Sequence, residues 1–184
     1  MTTSGHARRN EIVVGIDIGG TKTALMVWDR ERESVLAEDA VSTPTEIGPN
    51  EFVSGLAQEI GALITRAGRM QDELVAIGVA VPGLVDAAAG NVIEAGNLAG
   101  WIDFSLRACL QEHFPVAISI EHDANAAALG EQWRGAARGE RDFVFLALGT
   151  GIGAGIVING HLHRGAHHAA GEVGNLVMSR EFLG

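Results

Sequence analysis

The segment Asp17–Ala24 reads DIGGTKTA and lies between two stretches rich in β-branched residues, Glu11–Ile18 and Thr23–Asp29. It is not a P-loop, because that motif needs four residues between its first glycine and a Gly-Lys pair. The adjacent glycines instead predict a strand–turn–strand hairpin whose backbone N–H groups can face an anion. Two interpretations stay open: a phosphate-holding turn, to which Thr21 and Lys22 add a hydroxyl and a charge, or an ordinary turn with a solvated lysine.

A second glycine-rich stretch, LGTGIGAGIVING, occupies Leu148–Gly160. Part of it matches the dinucleotide-binding fingerprint, but that fingerprint opens a helix, whereas GIVING is β-branched and ends at Asn159-Gly160, a strong hairpin signal. A need for close packing could explain the glycines of one such turn, but it explains two such turns in one chain poorly. We therefore predict two hairpins that hold phosphate. Asp17, in front of the first turn, could hold magnesium through water.

The remaining segments predict alternating strands and helices. We expect strands at Val35–Val41, Leu74–Val81, Val116–Ile120, Phe143–Leu148 and Gly153–Ile158, and helices from an Asn50 cap to Gly68, at Asp103–Phe114 and within Glu121–Trp133. In the first of these helices the apolar residues recur at helical spacing and form one stripe. This order, with antiparallel strands at its start, predicts an α/β fold.

The composition excludes several classes of function. A formal charge of −10 over 184 residues argues against a nucleic-acid partner, since phosphate backbones are bound by clustered Lys and Arg. One cysteine, Cys109, allows no internal disulfide and fits a reducing cytoplasm. No apolar run approaches the ~18 residues of a membrane span, and no hydrophobic segment follows the first arginines. We therefore expect a cytoplasmic protein without a signal peptide, with residues 1–10 as a disordered tail.

Asp123 stands where a predicted strand meets a predicted helix, in the stretch EHDANAAA. Aspartate is common as a helix N-cap, and taken alone this interpretation is favoured. The same position turns a carboxylate toward the strand ends, where open α/β sheets bind their ligands. There it could accept a proton from a substrate hydroxyl during phosphoryl transfer.

The segment from His161 to Asn175, HLHRGAHHAAGEVGN, contains four histidines. No cysteine is near them, and we do not predict a metal site there. Glu172, which stands between glycines, could hydrogen-bond a polyol or cap a turn, and the spacing favours neither.

Taken together and in this order, these stretches resemble the ROK family of bacterial sugar kinases and sugar-responsive repressors, from about Glu11 to Met178. DIGGTKTA and LGTGIGAGIVING resemble the family's two phosphate motifs, and VPGLVD followed by GNLAGW resembles its hexose-binding segment. HDANAAALGE and AGEVGN match the motifs of its catalytic base and of a sugar-binding glutamate. The resemblance implies an actin-like (ribonuclease H-like) fold with a complete first lobe at 11–122, the start of a second lobe at 123–184, and a cleft between the lobes that both glycine turns face.

Carried over residue by residue, the resemblance implies glucokinase-like, ATP-dependent phosphorylation of a hexose, either glucose or an N-acetylhexosamine. Asp123 would be the base, and Mg²⁺ would accompany ATP. The sugar contacts would be Asn97, His122, Asp123, Glu172 and Asn175. The phosphate contacts would be Asp17, Gly19, Gly20, Thr21, Lys22, Gly149, Thr150, Gly151 and Gly153.

The sequence departs from the family pattern at two of these positions. The family usually has asparagine where His122 stands, and histidine where Asn175 stands; that histidine ligates zinc in many members. The family's zinc motif, C-x-C-G-x-x-G-C, does not occur in these 184 residues, so we expect no structural zinc.

Two classes of function stay open: a kinase, or a catalytically impaired sugar-binding or regulatory member related to the repressors. A repressor needs a helix-turn-helix ahead of DIGGTKTA. The ten residues before Glu11 are too few to form one. The expected partners are therefore a hexose and a nucleotide, without nucleic acid or membrane, and homo-oligomerisation stays open.

Overall fold

The computed structural model describes residues 10–149 and 151–175. The chain divides into two compact units, Met1–Glu121 and His122–Gly184. In chain order the elements are β1 (Ile12–Ile18), β2 (Lys22–Asp29), β3 (Ser34–Ser42), α1 (Pro49–Arg66), β4 (Leu74–Val81), β5 (Leu84–Asp86), β6 (Asn91–Glu94), β7 (Ile102–Phe104), α2 (Leu106–His113), β8 (Ala117–His122), α3 (Asp123–Arg134), β9 (Phe143–Leu148), β10 (Ile152–Ile158) and β11 (His161–Leu162). This mixture of helices and sheets confirms the predicted α/β class.

A five-stranded sheet with the order β3-β2-β1-β4-β8 forms the centre of the first unit. β1 pairs antiparallel with β2, and β2 pairs antiparallel with β3, which confirms the antiparallel start. β4 then adds parallel to β1 on the other side. Side chains alternate along β1, so that Ile12, Val14 and Ile16 are buried in the core.

The helix α1 packs on β2 and β3 through the apolar stripe predicted from its spacing. All six members of the stripe are buried: Phe52, Val53, Leu56, Ile60, Leu63 and Ile64. The predicted cap at Asn50 is wrong, since the helix begins at Pro49, whose missing N–H is not needed in the first turn. The predicted end is confirmed: Gly68, with φ +69°, follows the helix in the left-handed conformation that favours glycine.

The first turn of the predicted helix Asp103–Phe114 is also wrong, because Ile102–Phe104 forms β7 and α2 begins only at Leu106. β7 pairs antiparallel with β6, and β6 pairs with β5, so that a second sheet of three short strands lies in the first unit. Asp103 has φ +49°, which no helix allows. Tertiary pairing with β6 therefore overrides the local helical pattern.

The second unit consists of α3 against a three-stranded sheet with the order β11-β10-β9. β9 and β10 form the predicted antiparallel hairpin, with Leu148 opposite Ile152. At the next turn Asn159 and Gly160 have φ +54° and +81°, which confirms the predicted Asn-Gly hairpin.

Glycine allows α3 and β10 to approach closely. A Cβ on Gly155 would lie 2.4 Å from the Cβ of Ala128 and 2.6 Å from the carbonyl oxygen of Ala124. Small side chains on both elements are therefore a requirement of this contact.

Among the residues that the structure describes, no helix combines the length and the apolar character needed to cross a membrane.

Candidate functional site

The first glycine turn joins β1 to β2, as predicted. Ile18 and Thr23 form the last pair of the ladder, and the N–H of Gly19 donates to the carbonyl oxygen of Lys22 at 2.9 Å. Gly20, Thr21 and Lys22 are exposed. The sequence thus folds into a tight turn that presents a hydroxyl and an ammonium group to solvent.

Asn97 lies directly against this turn. Its Nδ2 would be 2.8 Å from a Cβ placed on Gly20. The loop that carries Asn97 is held by Leu98, which is buried, and by the N–H of Ala99, which donates to the carbonyl oxygen of Thr45 at 2.9 Å. The structure therefore brings together a predicted phosphate residue and a predicted sugar residue, which are far apart in the sequence.

An open groove of about 640 Å³ runs over the sheet beside the same turn, with Asp17 and Lys22 in its lining. Asp17 is exposed near the end of β1. Asp39 also lines the groove, and hydrogen bonds from Arg66 and from the Ala40 N–H hold the pKa of its carboxyl below the usual value. Both signs of charge are thus present along this surface.

The second glycine turn joins β9 to β10, and the N–H of Gly149 donates to the carbonyl oxygen of Gly151 at 3.0 Å. Thr150, a predicted phosphate contact, lies outside the described residues. Gly153 lies within β10, where a Cβ would meet the Cβ of Ala124 at 3.3 Å. Close packing against Ala124 is thus one reason for a glycine at position 153. The contact of Gly153 with phosphate stays a prediction.

Asp123 is the first residue of α3, and His122 occupies the N-cap position without a side-chain cap bond. The prediction that Asp123 caps the helix is therefore wrong. Its Oδ1 instead accepts a hydrogen bond from the N–H of Ala124 at 2.6 Å. The side chain is 47% exposed, so that a carboxylate at the end of a strand is fixed and open to solvent.

One ring nitrogen of His122 contacts two carboxylates. Its Nε2 lies 3.1 Å from Oδ1 of Asp123 and 3.5 Å from Oε1 of Glu172. The imidazole is only 12% exposed, whereas Glu172 is 32% exposed. Three predicted sugar-site residues, the adjacent His122 and Asp123 and the distant Glu172, thus form one cluster.

Two glycines explain how Glu172 reaches this cluster. The carbonyl oxygen of Gly171 accepts a hydrogen bond from the N–H of Ala154 at 2.9 Å, which places the segment alongside β10. A Cβ on Gly171 would lie 1.9 Å from the Ala154 carbonyl oxygen, and one on Gly174 would lie 2.5 Å from that of Ile152. The glycines of AGEVGN therefore allow the backbone approach that positions the glutamate between them.

The two oxygens of Asp123 are in different surroundings. Oδ1 is contacted by both Ala124 and His122. For Oδ2 the part of the chain that the structure describes provides no hydrogen bond. The side chain as a whole is 47% exposed, so that a hydroxyl from solution can reach this carboxylate.

The four histidines between 161 and 168 do not form a metal site with their neighbours in the described residues, where no three His, Cys, Asp or Glu side chains come close enough to hold an ion. His161 lies in β11, and the N–H of His163 donates to the carbonyl oxygen of Ile156 at 2.7 Å. Asn175 ends a short 3₁₀ helix, Val173–Asn175.

The described residues thus combine two glycine hairpins on a mixed α/β fold with a fixed carboxylate where a strand meets a helix. Comparison with known families makes this specific: the profile of the ROK family matches residues 13–183. The chain belongs to the ROK family.

The relatives that match the chain include both sugar kinases and sugar-responsive repressors. It is 32% identical over 168 residues to a glucokinase of Halalkalibacterium halodurans, covering 91% of this chain and 50% of the relative. It is 33% identical to the xylose repressor of Bacillus spizizenii, covering 90% of this chain and 42% of the repressor. The chain thus spans about half the length of the curated relatives it matches.

A solved structure gives the same picture. The ROK glucokinase of Streptomyces griseus, in complex with glucose and AMPPNP, superposes with a TM-score of 0.75 at 33% identity, covering 92% of this chain and 51% of that protein. The fold is therefore that of the actin-like ROK sugar kinases, as the resemblance implied.

Proposed function

We propose that this chain belongs to a hexose kinase in which Asp123 is the general base. The observation that carries the proposal is the arrangement of its carboxylate. Oδ1 accepts a hydrogen bond from the Ala124 N–H and lies 3.1 Å from Nε2 of His122, and the side chain is 47% exposed to an incoming hydroxyl. A base held in this way can accept a proton without reorganising, which is what general-base catalysis needs.

In the proposed reaction a hydroxyl oxygen of the sugar attacks the γ-phosphorus of ATP. The new P–O bond forms as the bond from phosphorus to the oxygen bridging to ADP breaks. The hydroxyl proton passes to the carboxylate of Asp123, and hexose phosphate and ADP leave. Asp123 then returns its proton to solvent.

The sugar would be held by the side chains around this carboxylate. Glu172 shares the imidazole of His122 with Asp123, and a carboxylate accepts hydrogen bonds from two hydroxyls at once. For Asn97, in the first unit, we propose a sugar contact from its place in the hexose-binding segment, since its amide both donates and accepts hydrogen bonds. We propose the same sugar contact for Asn175, from its position in AGEVGN.

The phosphates would be held by the two glycine turns. In the first, Thr21 and Lys22 are exposed beside the glycines, and a lysine is a common point charge for phosphate. In the second, Gly149, Thr150, Gly151 and Gly153 would bring backbone close to the nucleotide. Magnesium bound with the nucleotide would neutralise phosphate charge, and the exposed carboxylate of Asp17 fits it, because Mg²⁺ keeps several waters and takes one or two carboxylates.

Glucose and ATP are the first substrates to test. The relative from Halalkalibacterium halodurans is a glucokinase, and the Streptomyces griseus structure contains glucose with an ATP analogue. An N-acetylhexosamine is the second choice, since a protein from Listeria monocytogenes described as an N-acetylmannosamine kinase has the same fold at 28% identity.

The second candidate is a regulatory protein that binds sugar without phosphorylating it. The match to the xylose repressor of Bacillus spizizenii favours this candidate. It predicts sugar binding without turnover, which separates it from the kinase.

The test is formation of hexose phosphate by the purified chain with Mg·ATP, measured separately for glucose, N-acetylglucosamine and N-acetylmannosamine. We expect product with at least one sugar and none when the sugar is omitted. Calorimetric binding of a sugar by the folded protein, with no product from any of the three, would contradict the kinase and support the regulatory candidate.

A further inference from the structure

The two adjacent glycines of the first turn differ in what a side chain would meet there. A Cβ on Gly19 would lie 2.8 Å from the carbonyl oxygen of Lys22, which accepts the hydrogen bond that closes the turn. A Cβ on Gly20 would instead lie 2.8 Å from Nδ2 and 3.8 Å from Cγ of Asn97. Gly20 is also not among the glycines of the described chain that have a positive φ. The side chain of Asn97 therefore gives a reason for glycine at position 20 that does not depend on the backbone of the turn.

Backbone hydrogen bonds hold both sides of this contact to the segment that follows β3. The N–H of Thr43 donates to the carbonyl oxygen of Thr21, in the glycine turn, at 3.0 Å. Two residues further on, the carbonyl oxygen of Thr45 accepts a hydrogen bond from the N–H of Ala99, in the loop of Asn97, at 2.9 Å. Because the backbone is held on both sides, the exposed amide of Asn97 is the part that has to move if a Cβ is added at position 20.

From these contacts we propose that Gly20 is a positioning residue of the sugar site, which acts through Asn97. The absence of a side chain at position 20 lets the amide of Asn97 lie against the glycine turn, so that the sugar is bound next to the phosphate that it receives. The inference rests on the proposed function, since it takes Asn97 as a sugar contact. It deepens that function, because it gives Gly20 a role in sugar binding that is separate from its proposed contact with phosphate.

The expected effect of a methyl group at position 20 is local. Non-bonded atoms pack at about 3.5 Å, so that the amide of Asn97 would have to move by roughly 0.7 Å from its place 2.8 Å from the new Cβ. Asn97 is exposed and its side chain can change rotamer, so that folding should be affected little. A hydrogen bond to the sugar is less tolerant, because it weakens once its distance and angle leave a narrow range. Gly20→Ala should therefore change sugar binding more than stability.

The test is calorimetric titration of the purified chain with glucose, N-acetylglucosamine and N-acetylmannosamine in the absence of nucleotide. Without nucleotide, a residue that contacts only phosphate cannot affect the sugar Kd. The variants are Gly20→Ala, Asn97→Ala and the double variant, whose combined effect shows whether the two residues act through one contact. Gly61→Ala, on α1, is the matched control, because a Cβ there would meet no atom of the described residues within 4 Å.

We expect Gly20→Ala to raise the sugar Kd about 10-fold, which corresponds to the loss of one hydrogen bond, and Asn97→Ala to have a similar effect. The double variant should also lie about 10-fold above wild type rather than about 100-fold, because the methyl group then has no amide to displace. The Gly61→Ala control should bind the sugar as wild type does. Thermal unfolding should show that every variant folds with a midpoint close to that of wild type.

The outcomes separate this inference from the proposed function. An unchanged sugar Kd in Gly20→Ala would overturn the inference and leave the kinase in place, as would effects that multiply in the double variant. If Gly20→Ala does not fold, recovery of folding in the double variant would support the contact with Asn97. Failure of both variants to fold would overturn the inference, because the turn itself would then require glycine.

Two further outcomes concern the kinase itself. Weaker sugar binding by Gly20→Ala, in a chain whose wild type binds sugar but forms no hexose phosphate, would contradict the kinase and support this inference. A wild type that binds none of the three sugars would overturn the proposed sugar site and the role of Gly20 together.

Discussion

The two units of this chain are stabilised in different ways. The first buries large side chains from every layer: Trp101 is almost fully enclosed and makes edge-to-face contacts with Phe52 and Phe104, with ring centroids 5.2 and 5.4 Å apart. In the described part of the second unit the buried apolar side chains are small: Ala124, Ala128, Ala137, Ala154 and Val157. Stability in the first unit thus comes from buried area, and in the second from close backbone approach.

The exposed surfaces differ in the same sense. Along β9 the residues Val144, Leu146 and Leu148 are 57%, 55% and 77% exposed, on one face of the strand. The opposite face of the same sheet packs against α3. The candidate base thus stands on the unit whose described buried apolar side chains are small, and its position depends on contacts with small residues.

The largest effect is expected from the core of the first unit. Ile60, on α1, is fully buried, and Ile60→Ala should lower the free energy of unfolding by about 2–5 kcal/mol, because it removes three methyl or methylene groups and leaves a cavity. Urea unfolding followed by tryptophan fluorescence measures it, since two of the three tryptophans, Trp28 and Trp101, lie in the first unit. Gln58→Ala, on the exposed side of the same helix, is the control and should change stability by less than about 0.5 kcal/mol. Equal effects of the two changes would mean that buried area is not what stabilises this unit.

The second effect concerns the close approach of α3 and β10. Gly155→Ala should destabilise the second unit by about 1–3 kcal/mol, since the new Cβ would lie 2.4 Å from that of Ala128. Hydrogen exchange of the amides in α3 and β10 localises the loss.

A matched glycine on the other partner of this contact, α3, should change stability in the opposite direction. A Cβ on Gly130 would meet nothing within 4 Å, and Gly130→Ala should stabilise α3 by about 0.5–1 kcal/mol through helix propensity. Protection that falls in both variants would show that the contact with β10 does not control stability here.

The smallest effect is expected on the exposed face of β9. Leu146→Thr should change the free energy of unfolding by less than about 0.5 kcal/mol, because the side chain is already more than half exposed and threonine suits a strand. Binding of an apolar dye to the folded protein should decrease. A large loss of stability would indicate that Leu146 is covered in solution, and the contrast between the two units would then be weaker than described.

Short-range signals predicted much of this structure. Glycine pairs flanked by β-branched runs fixed both hairpins, and the spacing of six apolar residues identified α1. Strands of three or four residues, such as β5 to β7, are too short to show an alternation of apolar and polar side chains. Asp103, which lies in β7, was therefore predicted to be helical.

The sequence identified the residues of the candidate site but did not predict how they are arranged in space. His122 and Glu172 are fifty residues apart, and the hydrogen bond from the Ala154 N–H to Gly171 places the segment of Glu172 alongside β10. Sequence also could not separate a packing glycine from a ligand-binding one, since Gly153 and Gly155 meet α3 through space. The interpretation of Asp123 as the cap failed because the helix begins one residue earlier than a cap at Asp123 implies, so that Asp123 lies inside its first turn.

The account depends most directly on Asp123. The measurement is kcat for sugar phosphorylation, with sugar binding by calorimetry, in Asp123→Asn and in the control Asp72→Asn, which removes an exposed carboxylate before β4. Asparagine still accepts the hydrogen bond from the Ala124 N–H, so that folding and sugar binding should be nearly unchanged. We predict that Asp123→Asn lowers kcat by about 100- to 10,000-fold, because the amide cannot take the proton, and that Asp72→Asn leaves kcat unchanged. An Asp123→Asn variant that turns over sugar at the wild-type rate would contradict the account.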